Sequence, residues 1–332
     1  MKKVLPILLC LCLVGCSTTT EETTSATTAP SETTASQTTE ASETVEATTE
    51  ETTEETTTIP TTSYTGSTEY ELVFEDDFDG DELNTDNWNY EQHNPGWVNN
   101  ELQFYYASED NIYVENGDLV IQPLKVVDES GNIEYSSGRI NSWLKQDFLY
   151  GKVEARIKVP HGDGFLPAFW MMPTLNSHYG NWPRCGEIDI MEIVTNNPTT
   201  CYGGIHYGNS HRQNQGSMTL TDGNFADEYH VFTLEWEPGR ITWYVDDIEM
   251  YTTDDWYCKS EGGKLTPYPA PFDQQFYIIF NVAVGGDWPG DPTDSTVFDE
   301  SAQMRVDYVR VYQRPWYDEN VTAPVDYDGV AG

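Results

Sequence analysis

Basic residues are scarce in this chain. Its 332 residues include 16 Lys and Arg against 56 Asp and Glu, a formal net charge of −40 at pH 7. Nucleic acid and anionic membrane surfaces are poor partners for such a chain, because Lys and Arg drive that binding. A neutral polysaccharide is indifferent to the field. Cysteine is also sparse, with 6 residues, so this is no disulfide scaffold and a core must hold the fold. Long apolar runs are missing. The longest, Val4 to Val14, is too short for a bilayer span. Helical periodicity is nearly absent after Tyr70, and no repeat of fixed period occurs. What the chain does have is aromatic surface: 13% of residues, with 10 Trp and 21 Tyr. Aromatic faces suit cores, and they suit the flat faces of sugar rings equally.

The first 15 residues read as a targeting signal, with basic Lys2 and Lys3 ahead of the apolar stretch. Leu13-Val14-Gly15-Cys16 resembles a bacterial lipobox, which implies cleavage before Cys16 and a lipidated thiol. An ordinary signal peptide that happens to contain a Cys is the plainer alternative. Lipidation would anchor the protein to the outside of a bacterial membrane, since burial contributes about 0.8 kcal/mol per CH₂. Residues 16–66 are almost only Thr, Ser, Glu and Ala after the Cys, without Lys or Arg. Such a segment cannot bury enough apolar surface to offset backbone ordering. It is expected to be a disordered tether, spanning about 35–40 Å root-mean-square, or simply a spacer. Cys10 and Cys12 leave with the signal. Cys185, Cys201 and Cys258 then remain, so one disulfide at most can form.

Residues 67–315 are expected to be one all-β domain, and 316–332 a C-terminal tail. In Gly151 to Val159, Val153, Ala155, Ile157 and Val159 alternate with charged residues, which predicts a half-buried strand. Ile241, Trp243 and Val245 alternate likewise. Phe276 to Val284 is apolar on both faces and predicts an internal strand. Many short strands around one core imply a sandwich of two antiparallel sheets. A monomer is expected.

The chemistry concentrates in Gly186-Glu187-Ile188-Asp189-Ile190-Met191-Glu192. Alternation puts Glu187 and Asp189 on one face, but Glu192 has the wrong parity. A regular strand would bury its charge in the core, which is costly. A one-residue β-bulge near Ile190-Met191 restores it to the face of the other two. The glutamate Cα atoms then lie about 13 Å apart at roughly 3.3 Å per residue. Side chains leaning inward bring the carboxylates to about 5–5.5 Å, the separation of a retaining glycosidase. Crowded carboxylates raise at least one pKa, so one can act as an acid near neutral pH. Three carboxylates also suit a Ca²⁺ site, and an acidic cluster is unsurprising in so acidic a chain. The residues alone leave all three readings open. Cys185 shares the parity of Glu187, which would set a thiol beside the groove. A turn over Thr195 to Thr199 would bring residues near Ile205 and His206 back opposite Asp189, give or take the bulge.

At these residues the sequence resembles glycoside hydrolase family 16, on its laminarinase side. Asn99-Asn100-Glu101-Leu102-Gln103-Phe104-Tyr105, Ser137-Gly138-Arg139-Ile140, Pro167-Ala168-Phe169-Trp170-Met171, Ile205-His206-Tyr207-Gly208 and Val284-Gly285-Gly286-Asp287-Trp288-Pro289-Gly290 support it, over Tyr70 to Arg314. The resemblance implies a concanavalin A-like jelly roll of two curved sheets with a concave cleft. It implies β-1,3-glucan as substrate, with mixed-linkage glucan also accepted. Glu187 would be the nucleophile, Glu192 the general acid/base, and Asp189 a hydrogen-bonding partner between them. Trp170, Trp182 and Trp288 would line the cleft, with Asn100, Glu101, Arg139 and His206 as polar contacts. Hydrolysis by two carboxyls needs no cofactor. The resemblance also implies a structural Ca²⁺, held by the Asp307 side chain and the Glu75 and Gly117 carbonyls.

Overall fold

The computed structural model describes residues 68–324. The signal segment, Cys16, the tether and the last residues of the predicted tail lie outside the described residues.

Two eight-stranded sheets form the domain. The first runs, in spatial order, through β17 (Ile248–Thr253), β16 (Arg240–Val245), β15 (His230–Glu237), β10 (Gly151–Lys158), β19 (Met304–Gln313), β5 (Asp118–Ile121) and β4 (Ile112–Glu115). Its eighth strand, β1 (Glu71–Asp76), also pairs with β19. The second runs through β14 (Arg212–Thr219), β13 (Thr200–Tyr207), β12 (Glu187–Glu192), β11 (Phe165–Pro173), β18 (Phe276–Val284), β8 (Arg139–Asn141) and β2 (Asn89–Tyr90). There β9 (Asp147–Phe148) joins β18. All pairings in both are antiparallel. A small third sheet holds β3 (Gln103–Tyr105), β7 (Ile133–Ser137) and β6 (Leu124–Val127). This is the two-sheet sandwich that the strand pattern predicts.

The strand patterns explain the placement. Burial along β10 alternates without a break, as its sequence does. Strand β18 is buried on both faces because it lies inside its sheet, between β11 and β8. The side chains of Trp88, Trp236, Trp243 and Trp256 are fully buried in the core. A buried indole N–H needs an acceptor. Trp243 donates from Nε1 to the Asp189 carbonyl at 2.7 Å, linking the first sheet to the acidic strand of the second.

The tail begins packed on the domain: Tyr317 lies against Tyr150, and its hydroxyl accepts from the Arg314 backbone N–H. Cys185, Cys201 and Cys258 are free and buried. Cys185 therefore corrects the expectation of a thiol at the groove. Gly186, with φ of +86°, lies between it and the start of β12, and parity holds only along a continuous strand.

Candidate active site

The predicted bulge is present. Asp189 pairs with Trp170 of β11, and Met191 with Phe169, so Ile190 is the extra residue. Against β13, Asp189 pairs with Gly204 and Glu192 with Tyr202. Ile188, Ile190, Met191 and Ile193 enter the core, while Glu187, Asp189 and Glu192 face the opposite side. His206 is opposite Glu187, not Asp189: beyond the turn Glu192 pairs with Tyr202, and the bulge then shifts the register by one, so that Asp189 meets Gly204. Its ring still reaches across. Nε2 lies 3.1 Å from Asp189 Oδ2 and 3.8 Å from Glu187 Oε1.

Two adjoining cavities of about 470 and 540 Å³ meet over this strand, and both are walled by Glu187, Glu192, Trp182 and Glu101. One continues over β13 and β14 past Tyr202, Gln213 and Gln215 to Trp288. The other continues over β11, β18 and β8 past Trp170 and Arg139 to Trp97. The groove thus crosses the sheet, perpendicular to its strands. The six strands it crosses, with five spacings between them, give it a run of about 24 Å. The carboxylates stand near its middle.

Burial and mutual repulsion set the charges. Glu187 is pushed up to about 8, first by burial and then by Asp189. Its anion is supported by His206, by a hydrogen bond from Trp182, and by Arg139. Burial also raises Asp189. Glu192 is likewise raised well above the usual glutamate range, by burial and then by the charges of Asp189 and Glu187, with His206 opposing. Raised carboxyls this close together let one hold a proton near neutral pH while its neighbour ionises, the two states that an acid and a nucleophile need.

The same crowding predicts a stability cost. A carboxyl raised from 4.5 to about 8 on folding holds a proton that the unfolded chain has lost between those values. Stability then falls as pH rises through this window, and the full penalty is present above pH 8. Glu187→Gln removes it. With 17% of the side chain exposed, the gain at pH 8 is put at about 1–3 kcal/mol, which raises Tm by about 2–4 °C per kcal/mol. The difference should vanish toward pH 4.5. Calorimetry at both pH values checks this, and a variant no more stable at pH 8 would refute the crowding.

The other predicted residues divide. Glu101 is buried, accepts from Gln103 Nε2 at 2.7 Å, and walls both cavities. Trp182 and Trp288 are exposed in the groove, Trp288 packing edge-on to Tyr202. Trp170 donates from Nε1 to Asn281 Oδ1 at 2.7 Å, under the Arg139 guanidinium. Asn100 is a correction. Its side chain goes to Asp287, where Nδ2 donates to Oδ1 at 2.9 Å, and Asn99 walls the cavities in its place.

Sequence reasoning missed Trp97, Tyr202, His211, Gln213 and Gln215. The Gln pair had a readable signal, two polar residues at period two on β14. His211 had none, although its Nε2 lies 2.6 Å from His206 Nδ1.

The nominated Ca²⁺ ligands lie on neighbouring segments of the first sheet. Asp307 is the extra residue of a bulge in β19, where that strand passes from pairing with β1 to pairing with β5. Continuing the β5 register sets Asp118 opposite Asp307, and Gly117 is its neighbour. Glu75, on β1, pairs with Arg310, three positions along β19. The Asp307 carboxylate is itself bonded to Arg156 Nη1 at 2.7 Å. On the acidic strand, Glu187, Asp189 and His206 place donor atoms within 4.8 Å of one another. The imidazole nitrogen makes that set a poor match for Ca²⁺, which takes six to eight oxygens.

A bulged acidic strand at the centre of a long aromatic groove can also be compared with known proteins. Residues 92–310 match glycosyl hydrolases family 16. A glucan endo-1,3-beta-glucosidase A1 of Niallia circulans is 41% identical over 261 residues, covering 73% of this chain and 38% of its own length. A glucan endo-1,3-beta-glucosidase of Cryptopygus antarcticus is 37% identical, covering 72% of this chain and 90% of its own. This chain thus spans well under half of the first relative and most of the second. The laminarinase catalytic domain of Thermotoga maritima superposes with a TM-score of 0.63 at 36% identity, covering 74% of this chain and 98% of that domain. With the two glutamates, the bulge between them and the groove all in place, the chain belongs to glycosyl hydrolases family 16.

Proposed function

We infer that this protein is a retaining endo-β-1,3-glucanase that also accepts mixed β-1,3/1,4-glucan. The observation that carries the reading is a groove crossing the sheet, with Glu187 and Glu192 at its middle rather than at a closed end. A continuing polymer can pass through it. Glu192 donates its proton to the glycosidic oxygen as Glu187 attacks the anomeric carbon. The leaving chain departs as an alcohol, and the glycosyl unit is bound to Glu187 as an ester. Glu192, now a carboxylate, takes a proton from water as that water attacks the same carbon. The product keeps its configuration and both glutamates return to their starting states. Asp189 and His206 support the pair without bonding to the sugar carbon.

A non-catalytic glucan-binding protein is the alternative reading. Two cavity-facing glutamates of raised pKa favour hydrolysis. The test is incubation with laminarin, lichenan, xyloglucan and agarose, assaying reducing ends and polymer size. Laminarin should shorten quickly as reducing ends appear. Reducing ends without loss of size would indicate exo action, and inertness on every β-glucan would sink the assignment.

Two further proposals rest on the sequence. Cys16 carries lipid and holds the enzyme on the cell surface as a monomer. Cys16→Ser should then release activity from the membrane fraction. A structural Ca²⁺ binds where β1 and β5 meet β19, through the Asp307 carboxylate and the Glu75 and Gly117 carbonyls. A ligand bound only by the folded state stabilises by mass action, so chelation should lower Tm by several degrees and spare the chemistry. An unchanged melting curve, with the metal assayed before and after, would remove the site.

A further inference from the structure

We propose that Glu91 is a positioning residue, fixing the Trp97 wall of the groove and so setting how tightly the glucan is gripped on the β8 side. The proposal rests on the glucanase reading above. Glu91 follows β2, and its carboxylate is mostly enclosed. One oxygen accepts from Asn141 Nδ2 at 2.6 Å. The other accepts from Arg139 Nε and from His93 Nε2, each at 2.7 Å. These donors and charges hold its carboxyl below the usual glutamate value in spite of burial.

Both residues bonded to that second oxygen touch Trp97. His93 stacks on its ring at 3.5 Å with the planes 1° apart. The Arg139 guanidinium is 5.2 Å from the Trp97 centroid and 4.7 Å from that of Trp170. Trp170 has independent support, since it lies in β11 and donates to Asn281. Trp97 lies between β2 and β3 with no strand beneath it, in a turn where Gly96, Asn99 and Asn100 have positive φ. Its ring is half exposed and lines the groove. Without ladder bonds, the ring is oriented by its side-chain neighbours, and Glu91 orients both of them. A flat, preorganised indole loses little freedom on stacking against a sugar, whereas a loose one must first be ordered.

Glu91→Gln keeps the shape and removes the charge. We expect KM for laminarin to rise about 10-fold or more, with kcat within about threefold of wild type. Trp97→Ala should raise KM similarly, and the double variant should be no worse than either single one, because both disturb the same ring. Oligosaccharides too short to reach Trp97 should show unchanged KM. If Glu91→Gln does not fold, His93→Ala removes one of the two supports and should raise KM by a smaller factor. A lowered Tm with unchanged KM would make Glu91 merely structural and overturn the proposal. Fully additive effects of Glu91→Gln and Trp97→Ala would overturn it too. Wild type inert on laminarin would refute the glucanase reading, and this proposal with it. Active wild type with an indifferent Glu91→Gln would refute the proposal alone.

Discussion

Glu187→Ala should lower kcat on laminarin by about 10⁴-fold or more, with every other substrate equally affected. No ester can form without the carboxylate, so the chemical path is lost rather than slowed. At about 1.36 kcal/mol per tenfold, that is more than 5 kcal/mol of transition-state stabilisation. The fold should survive and gain stability near pH 8, since a buried group raised by its neighbours is removed. The measurement is kcat with active protein confirmed by laminarin binding. Azide entering the vacated space attacks the anomeric carbon directly and should give the α-glycosyl azide. Residual turnover above about 1% would show that Glu187 is not the nucleophile.

Glu192→Ala should divide substrates. On polysaccharide, whose leaving group needs a proton, the loss is about 10²–10⁴-fold. An activated aryl glycoside needs little protonation, so its first step should be nearly spared. The second step lacks a base, and the glycosyl-enzyme should accumulate. Azide needs no base and should rescue turnover, giving a β-glycosyl azide of retained configuration. The alkaline fall of the pH–rate profile should also disappear, because Glu192 is the group whose deprotonation ends catalysis at high pH. The anomeric configuration by NMR decides. Swapped azide products would reverse the two roles, and inversion by wild type would rule out the two-step path.

The bulge shows how far a sequence carries the site. Glu192 has the parity of Ile188 and Ile190, which enter the core, and a charge there is affordable only if the chain takes one extra residue. Local stereochemistry determined that. It likewise determined β10, whose alternation is complete, and β18, whose apolar run required cover on both faces. Cys185 marks the limit. Counting parity through Gly186 assumes continuous strand, and a positive φ ended it. His206 lies opposite Glu187 rather than Asp189 because the bulge shifts the register on that side of the strand. Asn100 was assigned to the groove from its motif, but Asp287, 187 residues away, takes its side chain.

The sequence by itself therefore determined the strands, the two-sheet class and the shared face of Glu187, Asp189 and Glu192, because each follows from alternation and the cost of burying charge within a few residues. Tertiary structure decided the rest. Glu91, His93, Trp97 and Arg139 meet from separate segments, and the bonds joining them carry no periodicity. The electrostatics of the acidic strand also belong to the tertiary structure. Both glutamates sit on one short strand, and it is burial by the surrounding fold, with His206, Trp182 and Arg139 brought in beside Glu187, that sets how readily they ionise.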